Sequence, residues 1–301
     1  MQNVDFLVIG ANGLIGRRLL RLLKGRGISS TGTYNKRPEA GLIPLDITDA
    51  ASLATIIKGL APKHIYLCAN LAGGVNYCEK NPAQARKFYY DATVNIGQEC
   101  ARTGSSLVFV STDYVFDGTK GPYREEDAVN PLNIYGRLKL DAEVWIRKNL
   151  ENHIIARTTN VFGWDPETAT PNYVMNLYRT VEQGNVFNAP SYLWGNPTYA
   201  EDLAAALAEL SGAGAVGTFH VVGSSFTDRY DWALKACDIL GLDRGLVKDA
   251  AEPPAGMVPR PLKPRMDTSK FTGKYKTVLH GVTEGLELMK DDIDERKAAD
   301  K

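Results

Sequence analysis

The sequence has no long hydrophobic run and no excess of either charge. None of its apolar stretches approaches the ~18 residues that a membrane-spanning helix needs, so we expect no membrane anchor. Its 35 basic and 35 acidic residues give a formal net charge of +0, and no block of like charges suggests an arm for nucleic acid or a membrane. Small-molecule chemistry is therefore the better expectation.

Cysteine and histidine are also scarce. The four cysteines show no C-x-x-C spacing, which favours free thiols over a disulfide framework. The four histidines lack ligand-like spacing, so no metal is expected. A strand-like run over residues 4–9 follows the first residues at once, without the basic segment and cleavage site of a secretion signal. Together these features predict a cytoplasmic protein.

Short apolar runs alternate with stretches of helical period through the first half of the chain. Apolar strands separated by helices predict a doubly wound parallel sheet with helices on both faces, a Rossmann-type α/β fold. The turn-rich second half predicts a smaller C-terminal lobe. The predicted strands are 4–9, 30–34, 43–45, 65–67, 107–110 and 154–156, and the predicted helices are 14–23, 53–60, 83–101 and 138–150.

Three glycines follow the first predicted strand directly. Gly10, Gly13 and Gly16 form a G-x-x-G-x-x-G turn that opens a leucine-rich helix. Glycines there let backbone N–H groups and the helix N-terminus approach a pyrophosphate without Cβ atoms in the way. A closely packed turn is the simpler interpretation, but the strand before it and the amphipathic helix after it favour a dinucleotide site.

The end of the second predicted strand indicates which dinucleotide is bound. An acidic residue there would hold the ribose diol of NAD, and none is present. Asn35, Lys36 and Arg37 stand there instead. The cationic Lys36 and Arg37 can bind a 2′-phosphate, although an ordinary basic turn is the alternative. We therefore expect NADPH, with NADH possible. The predicted cofactor contacts are Gly10, Asn12, Gly13, Leu14, Ile15, Gly16, Asn35, Lys36, Arg37, Asp46, Ile47, Ala69, Asn70, Leu71, Tyr135 and Lys139.

A hydroxyl, a phenol and an ammonium follow along the chain, and together they suit the reduction of a carbonyl group. Tyr135 and Lys139 are four residues apart in a predicted helix and share one face. We expect Lys139 to lower the pKa of Tyr135, so that the phenol can protonate a carbonyl while nicotinamide delivers hydride. Thr112 follows a strand at the ligand-binding edge of the sheet and would bind that carbonyl. Taken singly, each residue also fits a structural role.

Longer motifs surround these residues. They read STDYVFDG at 111–118, PYREED at 122–127 and NPLNIYGRLK at 130–139. They closely resemble the dTDP-4-dehydrorhamnose reductase family of extended short-chain dehydrogenases, and the likeness covers nearly the whole chain. The resemblance implies reduction of the 4-keto group of a nucleotide-linked 6-deoxy sugar by a monomer or homodimer. The substrate contacts expected from it are Thr112, Asp113, Val115, Tyr135, Asn160, Trp194 and Arg260.

The resemblance also implies a division of the chain. We predict an NADP-binding Rossmann domain over residues 1–160 and roughly 191–212. A substrate-binding lobe would comprise 161–190 and 213–290, and a charged tail would comprise 291–301.

Some positions depart from the family pattern. Asp91 stands where an asparagine helps to position the catalytic lysine, and Tyr192 and Leu193 replace an Asp-Gln pair in a loop that faces the sugar. Arg18 replaces a glutamate through which some members bind magnesium between subunits, so we expect no such metal.

The resemblance extends to the regulatory β subunit of methionine adenosyltransferase. An NADP-binding regulatory subunit is therefore the alternative, and the lost Asp-Gln pair favours it. The intact Thr112, Tyr135 and Lys139 favour a reductase. A dehydratase is disfavoured because Tyr114, rather than a second acid, follows Asp113.

Overall fold

A parallel sheet of seven strands forms the centre of the protein, whose computed structural model describes residues 3–166 and 170–299. In chain order, the strands of this sheet and of the two-stranded sheets are β1 (Phe6–Ile9), β2 (Ser30–Tyr34), β3 (Ile43–Pro44), β4 (His64–Leu67), β5 (Ser106–Thr112), β6 (His153–Thr158), β7 (Val161–Phe162), β8 (Phe187–Ala189), β9 (Trp194–Gly195), β10 (Thr198–Tyr199), β11 (Gly217–His220), β12 (Thr227–Asp228) and β13 (Val247–Asp249). The two-stranded sheets are β10-β7, β12-β9 and β13-β8. The central sheet has the order β11-β6-β5-β4-β1-β2-β3, and its neighbouring strands are parallel. The predicted Rossmann-type α/β fold is confirmed.

Helices connect these strands and cover the sheet. They are α1 (Leu14–Gly25), α2 (Ala50–Leu60), α3 (Gly74–Lys80), α4 (Pro82–Arg86), α5 (Ala92–Thr103), α6 (Ile134–Asn149), α7 (Tyr173–Glu182), α8 (Ala200–Gly212), α9 (Arg229–Leu240), α10 (Ser269–Thr272) and α11 (Val282–Ala299). A π-helical turn, Lys87–Asp91, joins α4 to α5. Short 3₁₀ turns occupy Asp113–Val115 and Arg244–Leu246.

Alternate residues of the central strands face two separate layers of helices. Leu7 and Ile9 pack with α2, α5 and α6, whereas Phe6 and Val8 pack with α1 and α8. Successive side chains of a strand point to opposite faces, so a strand that is covered on both sides must be apolar throughout. This is why the uninterrupted apolar runs of the sequence indicated a doubly covered sheet.

A further core lies in the second half of the chain, around Trp232. It contains side chains from α7, α9 and α11, including Ile293. Helix α11 extends through residues 291–299, so this part of the predicted charged tail continues a helix that packs on a core, while residues 300 and 301 lie outside the described part. The boundaries between the two lobes stay a prediction.

Two further expectations concern the pairing of the cysteines and membrane-spanning helices. All four cysteines are free, as their spacing predicted. Within residues 3–166 and 170–299, every helix is too short or too polar to cross a bilayer.

Candidate active site

A cleft of about 650 Å³ lies at the carboxyl ends of β1, β2, β4, β5 and β6, where ligands of open α/β sheets bind. It brings together most of the residues that the sequence singled out. Those that line it are Gly10, Asn12, Gly13, Leu14, Ile15, Asn35, Lys36, Arg37, Ile47, Ala69, Asn70, Leu71, Thr112, Asp113, Tyr135, Lys139 and Asn160.

Three predicted contacts on the Rossmann side lie away from the cleft. Gly16 lies beneath the turn, where an added Cβ would be 2.3 Å from the Gly10 carbonyl oxygen. Asp46 is exposed, and its carboxylate accepts hydrogen bonds from the N–H and hydroxyl of Thr48. Val115 is wholly buried in a small apolar core with Phe116. Gly16 therefore allows close packing against Gly10, Asp46 stabilises a turn by binding Thr48, and Val115 contributes to the apolar core.

Two predicted substrate contacts also lie outside the cleft lining. The ring of Trp194 packs at 5.4 Å from that of Phe226. The Arg260 guanidinium donates a hydrogen bond to the Asn76 side chain at 3.0 Å. Arg260 also influences the pKa of Tyr114, which does line the cleft, so it stands at the cleft's margin.

The glycine turn has the shape of a pyrophosphate cradle. Gly10 has φ +82°, and a Cβ there would be 2.9 Å from the Ala69 backbone. Gly13 is the N-cap of α1 and supplies no side-chain acceptor to the first N–H groups of the helix. Those amides and the positive end of the helix dipole suit an anion, so the residues present fit a dinucleotide phosphate.

The loop after β2 presents exposed cations at the rim of the cleft. Lys36 and Arg37 are both exposed. The Asn12 side chain donates to the Arg37 carbonyl at 3.0 Å, which ties this loop to the glycine turn. The carboxylate of the nearby Glu39 binds Arg17 at 2.9 Å, so a neighbouring cation compensates its charge. This end of the cleft therefore suits a 2′-phosphate.

The three predicted catalytic groups line the cleft where β5 meets α6. Strand β5 ends at Thr112, and the Asn133 side chain caps α6 by accepting the N–H of Gly136. Tyr135 and Lys139 lie one turn apart near the start of that helix, and the Lys139 ammonium donates to the Val110 carbonyl at 2.8 Å. The cap of α6 and the end of β5 together fix the relative positions of Thr112, Tyr135 and Lys139.

A glycine that the sequence reasoning missed permits this approach. A Cβ on Gly136 would be 2.2 Å from the carbonyl oxygen of Tyr114, so a larger residue would push α6 away from the end of β5. The sequence feature that could have identified Gly136 is its position directly after Tyr135.

Burial sets the protonation states of this group. Burial raises the pKa of Tyr135 above its ordinary value, although the Thr112 hydroxyl opposes the rise. Burial also lowers the pKa of Lys139 to about 8. The expectation that Lys139 lowers the pKa of Tyr135 is wrong for this structure, because burial outweighs any influence of the ammonium. A protonated phenol suits a proton donor.

Asp113 is a buried acid next to Thr112. Its two carboxylate oxygens accept hydrogen bonds from Thr112 at 3.1 Å and from Thr159 at 2.8 Å. Burial raises the pKa of Asp113 to about 6. Thr159 was not identified from the sequence, because its partner is distant along the chain and no local spacing marks it.

The positions that depart from the family pattern have local partners. The half-exposed Asp91 carboxylate pairs with Arg86 at 3.5 Å, and Tyr89 of the same π-helical turn lies against Lys139 instead. The Asp91 carboxylate therefore has Arg86 as a partner, and its match to the family's asparagine position stays a prediction. The buried Arg18 pairs with Glu201 at 2.8 Å. The remaining pair lies apart from the cleft lining: the Tyr192 hydroxyl contacts Met257, and Leu193 is buried.

The parallel sheet, the glycine turn and the Thr-Tyr-Lys group define a protein of the extended short-chain dehydrogenase/reductase type. The chain belongs to the family described as "RmlD substrate binding domain", whose model matches residues 4–294.

Similar proteins carry two kinds of name. Methionine adenosyltransferase 2 subunit beta of Xenopus tropicalis is 30% identical over 271 residues, 88% of this chain and 80% of its own. The structure of a hypothetical dTDP-4-dehydrorhamnose reductase from Sulfolobus tokodaii is 31% identical, with a TM-score of 0.83 over 93% of this chain and 98% of that one. A dTDP-4-dehydrorhamnose reductase from Bacillus anthracis, solved with NADP, shares the fold at 23% identity, with a TM-score of 0.86 over 96% and 99% of the two chains.

Proposed function

We propose that this protein is an NADPH-dependent reductase of the 4-keto group of a nucleotide-linked 6-deoxy sugar. The observation that carries the proposal is the position of Thr112, Tyr135 and Lys139 in one cleft with the glycine turn. The exposed Lys36 and Arg37 at its rim support NADPH over NADH. The similarity to a hypothetical dTDP-4-dehydrorhamnose reductase supports the substrate class.

The side chains of this cleft have distinct roles in the proposed reaction. The chemistry supplied by bound NADPH is hydride transfer to the carbonyl carbon. Tyr135, kept protonated by burial, donates its phenolic proton to the carbonyl oxygen as negative charge develops there. The Thr112 hydroxyl binds the same oxygen and orients it. The Lys139 ammonium stabilises the phenolate that remains.

An NADP-binding regulatory subunit is the second candidate. It is supported by the match to a methionine adenosyltransferase subunit along 88% of this chain. It is also supported by Tyr192 and Leu193, which stand where the reductase pattern has an Asp-Gln pair. The two candidates differ in one property, which is turnover of a keto-sugar.

The deciding experiment is an NADPH oxidation assay with a panel of nucleotide-linked 4-keto sugars. We expect the parent protein to consume NADPH faster than NADH, and Tyr135→Phe to lower kcat by at least ~10²-fold because the general acid is lost. The matched control is Tyr66→Phe, because Tyr66 is a buried tyrosine outside the cleft whose hydroxyl bonds Ser211 at 2.9 Å. Tight NADPH binding without turnover of any sugar would favour the regulatory subunit.

A further inference from the structure

The hydroxyl of Tyr89 is bound to the loop after β4. Tyr89 is only 2% exposed, and its oxygen accepts the N–H of Leu71 at 3.1 Å while its proton goes to the Asn70 side chain. Both partners line the cleft, whereas Tyr89 stands behind them. Since an unpaired buried N–H is costly, this phenol holds the loop in one position.

The ring of Tyr89 contacts the proton-transfer pair on α6. Its centroid lies 5.2 Å from that of Tyr135, at an interplanar angle of 77°. The Lys139 ammonium lies 5.2 Å from the same ring centre. Edge-to-face aromatic pairs and cations near aromatic faces are both favourable, so the ring stabilises the positions of both side chains.

The contacts of Tyr89 depend on an irregular turn. Tyr89 belongs to the π-helical turn Lys87–Asp91 between α4 and α5. A π-helical turn holds an extra residue, and removing one residue from a helix rotates the preceding segment by about 100°. A regular α-helix would therefore aim this side chain elsewhere. Such π-turns frequently occur at functional sites.

We propose that Tyr89 is a positioning residue that couples the loop after β4 to the Tyr135–Lys139 pair. The hydroxyl fixes residues 69–71 along the bound dinucleotide, and the ring orients the phenol and the ammonium that handle the proton. The inference rests on the proposed function. Different atoms perform the two tasks, so substitution can separate them.

The first test removes the hydroxyl and keeps the ring. We expect Tyr89→Phe to weaken NADPH binding about 2- to 10-fold, the range of one net hydrogen bond. The change in kcat should be smaller, because the ring that contacts Tyr135 and Lys139 remains. NADPH affinity is measured by fluorescence titration, which needs no sugar substrate. Tyr66→Phe is the matched control, because it also removes a buried phenolic hydroxyl but lies outside the cleft, and it should leave NADPH affinity unchanged.

The second test removes the ring. In Tyr89→Leu the Lys139 ammonium loses a favourable contact, so its pKa should fall further. The high-pH limb of the kcat profile should then move to lower pH, and kcat itself should fall about tenfold or more, as expected when an acid–base group is misplaced. Purely structural damage would lower the amount of folded enzyme without moving that limb. Thermal unfolding of each variant reports the folded fraction.

The outcomes separate the inference from the function on which it rests. A parent protein that fails to bind NADPH overturns the proposed function and the inference with it. A parent that binds and turns over NADPH, with Tyr89→Phe equal to Tyr66→Phe in affinity and Tyr89→Leu unchanged in pH profile, overturns the inference alone. Weaker binding in the first variant and a moved limb in the second support it.

Discussion

Two buried residues beside the Tyr135 phenol, Asp113 and Lys139, have pKa values displaced towards neutrality from opposite sides. Burial raises the pKa of Asp113 to about 6 and lowers that of Lys139 to about 8. Between these values the acid is ionised, the ammonium is charged and the phenol keeps its proton. The proposed reaction needs the charged ammonium and the protonated phenol, so we expect kcat in a pH profile to fall as the pH rises above about 8.

The raised pKa of Asp113 predicts how the stability of the protein changes with pH. A carboxyl whose pKa is higher in the folded than in the unfolded state stabilises the fold when the pH is below its pKa in the unfolded state. This contribution is lost as the pH rises through its pKa in the folded state. Between pH ~4 and ~7, the parent should therefore lose about 2 kcal/mol relative to Asp113→Asn. Urea unfolding across this range measures the difference.

The control for this prediction is Asp117, a carboxyl whose pKa is shifted in the opposite direction. Hydrogen bonds from the Thr119 N–H and the Tyr123 hydroxyl lower the pKa of Asp117 below its ordinary value. The parent should therefore gain stability relative to Asp117→Asn as the pH rises. Parallel stability curves for the parent and Asp113→Asn would contradict the argument.

At the scale of single elements, helix α1 carries two glycines in contrasting surroundings. A Cβ on Gly16 would lie 2.3 Å from the Gly10 carbonyl oxygen and 2.8 Å from the Ala11 Cα, whereas a Cβ on Gly25 would meet nothing within 4 Å. We expect Gly16→Ala to destabilise the protein by ~1–3 kcal/mol, because backbone atoms must move. Gly25→Ala should stay within ~0.5 kcal/mol. Urea unfolding tests both, and equal losses would contradict the packing argument.

The elements also show how far the sequence could predict the structure. Strand β2 has the predicted bounds, and its β-branched Thr31 and Thr33 and aromatic Tyr34 favour extended backbone. The stretch predicted as one helix over 83–101 contains the π-helical turn, and an extra residue in a helix leaves no periodic signal. Tyr89 was therefore missed, because its position next to Lys139 depends on this turn. Thr112, Tyr135 and Lys139 could be predicted because Thr112 ends a strand at the ligand-binding edge of the sheet, while Tyr135 and Lys139 are one helical turn apart.

At the scale of the whole molecule, a buried ion pair joins elements that are distant in sequence. Glu143 of α6 is 0% exposed and binds the Arg157 guanidinium of β6 at 2.8 Å. Ser111 at the end of β5 donates to the same carboxylate, and Arg157 also donates to the carbonyl of Glu125. Sequence patterns could not reveal this, because Glu and Arg are mostly exposed and the partners share no local spacing.

The pair predicts a large and asymmetric effect on stability. Burial pushes the pKa of Glu143 up, yet the hydrogen bond and charge of Arg157 hold it below its ordinary value. Arg157→Met would leave the carboxylate buried without its main partner, at a cost of about 3–5 kcal/mol. The double variant Glu143→Met with Arg157→Met should cost less than the two single variants together, because no buried charge then lacks a partner.

A double-mutant cycle measured by urea unfolding checks this prediction. Arg244→Met serves as the control, because Arg244 pairs with Asp238 at 3.2 Å while more than half of each side chain is exposed. Removing that arginine should change stability by less than ~1 kcal/mol. A coupling energy near zero between Glu143 and Arg157 would mean that each ion is compensated separately. The contact between β5, β6 and α6, which sets the relative positions of Thr112 and Tyr135, would then depend on backbone pairing, apolar packing and the separate partners of each ion.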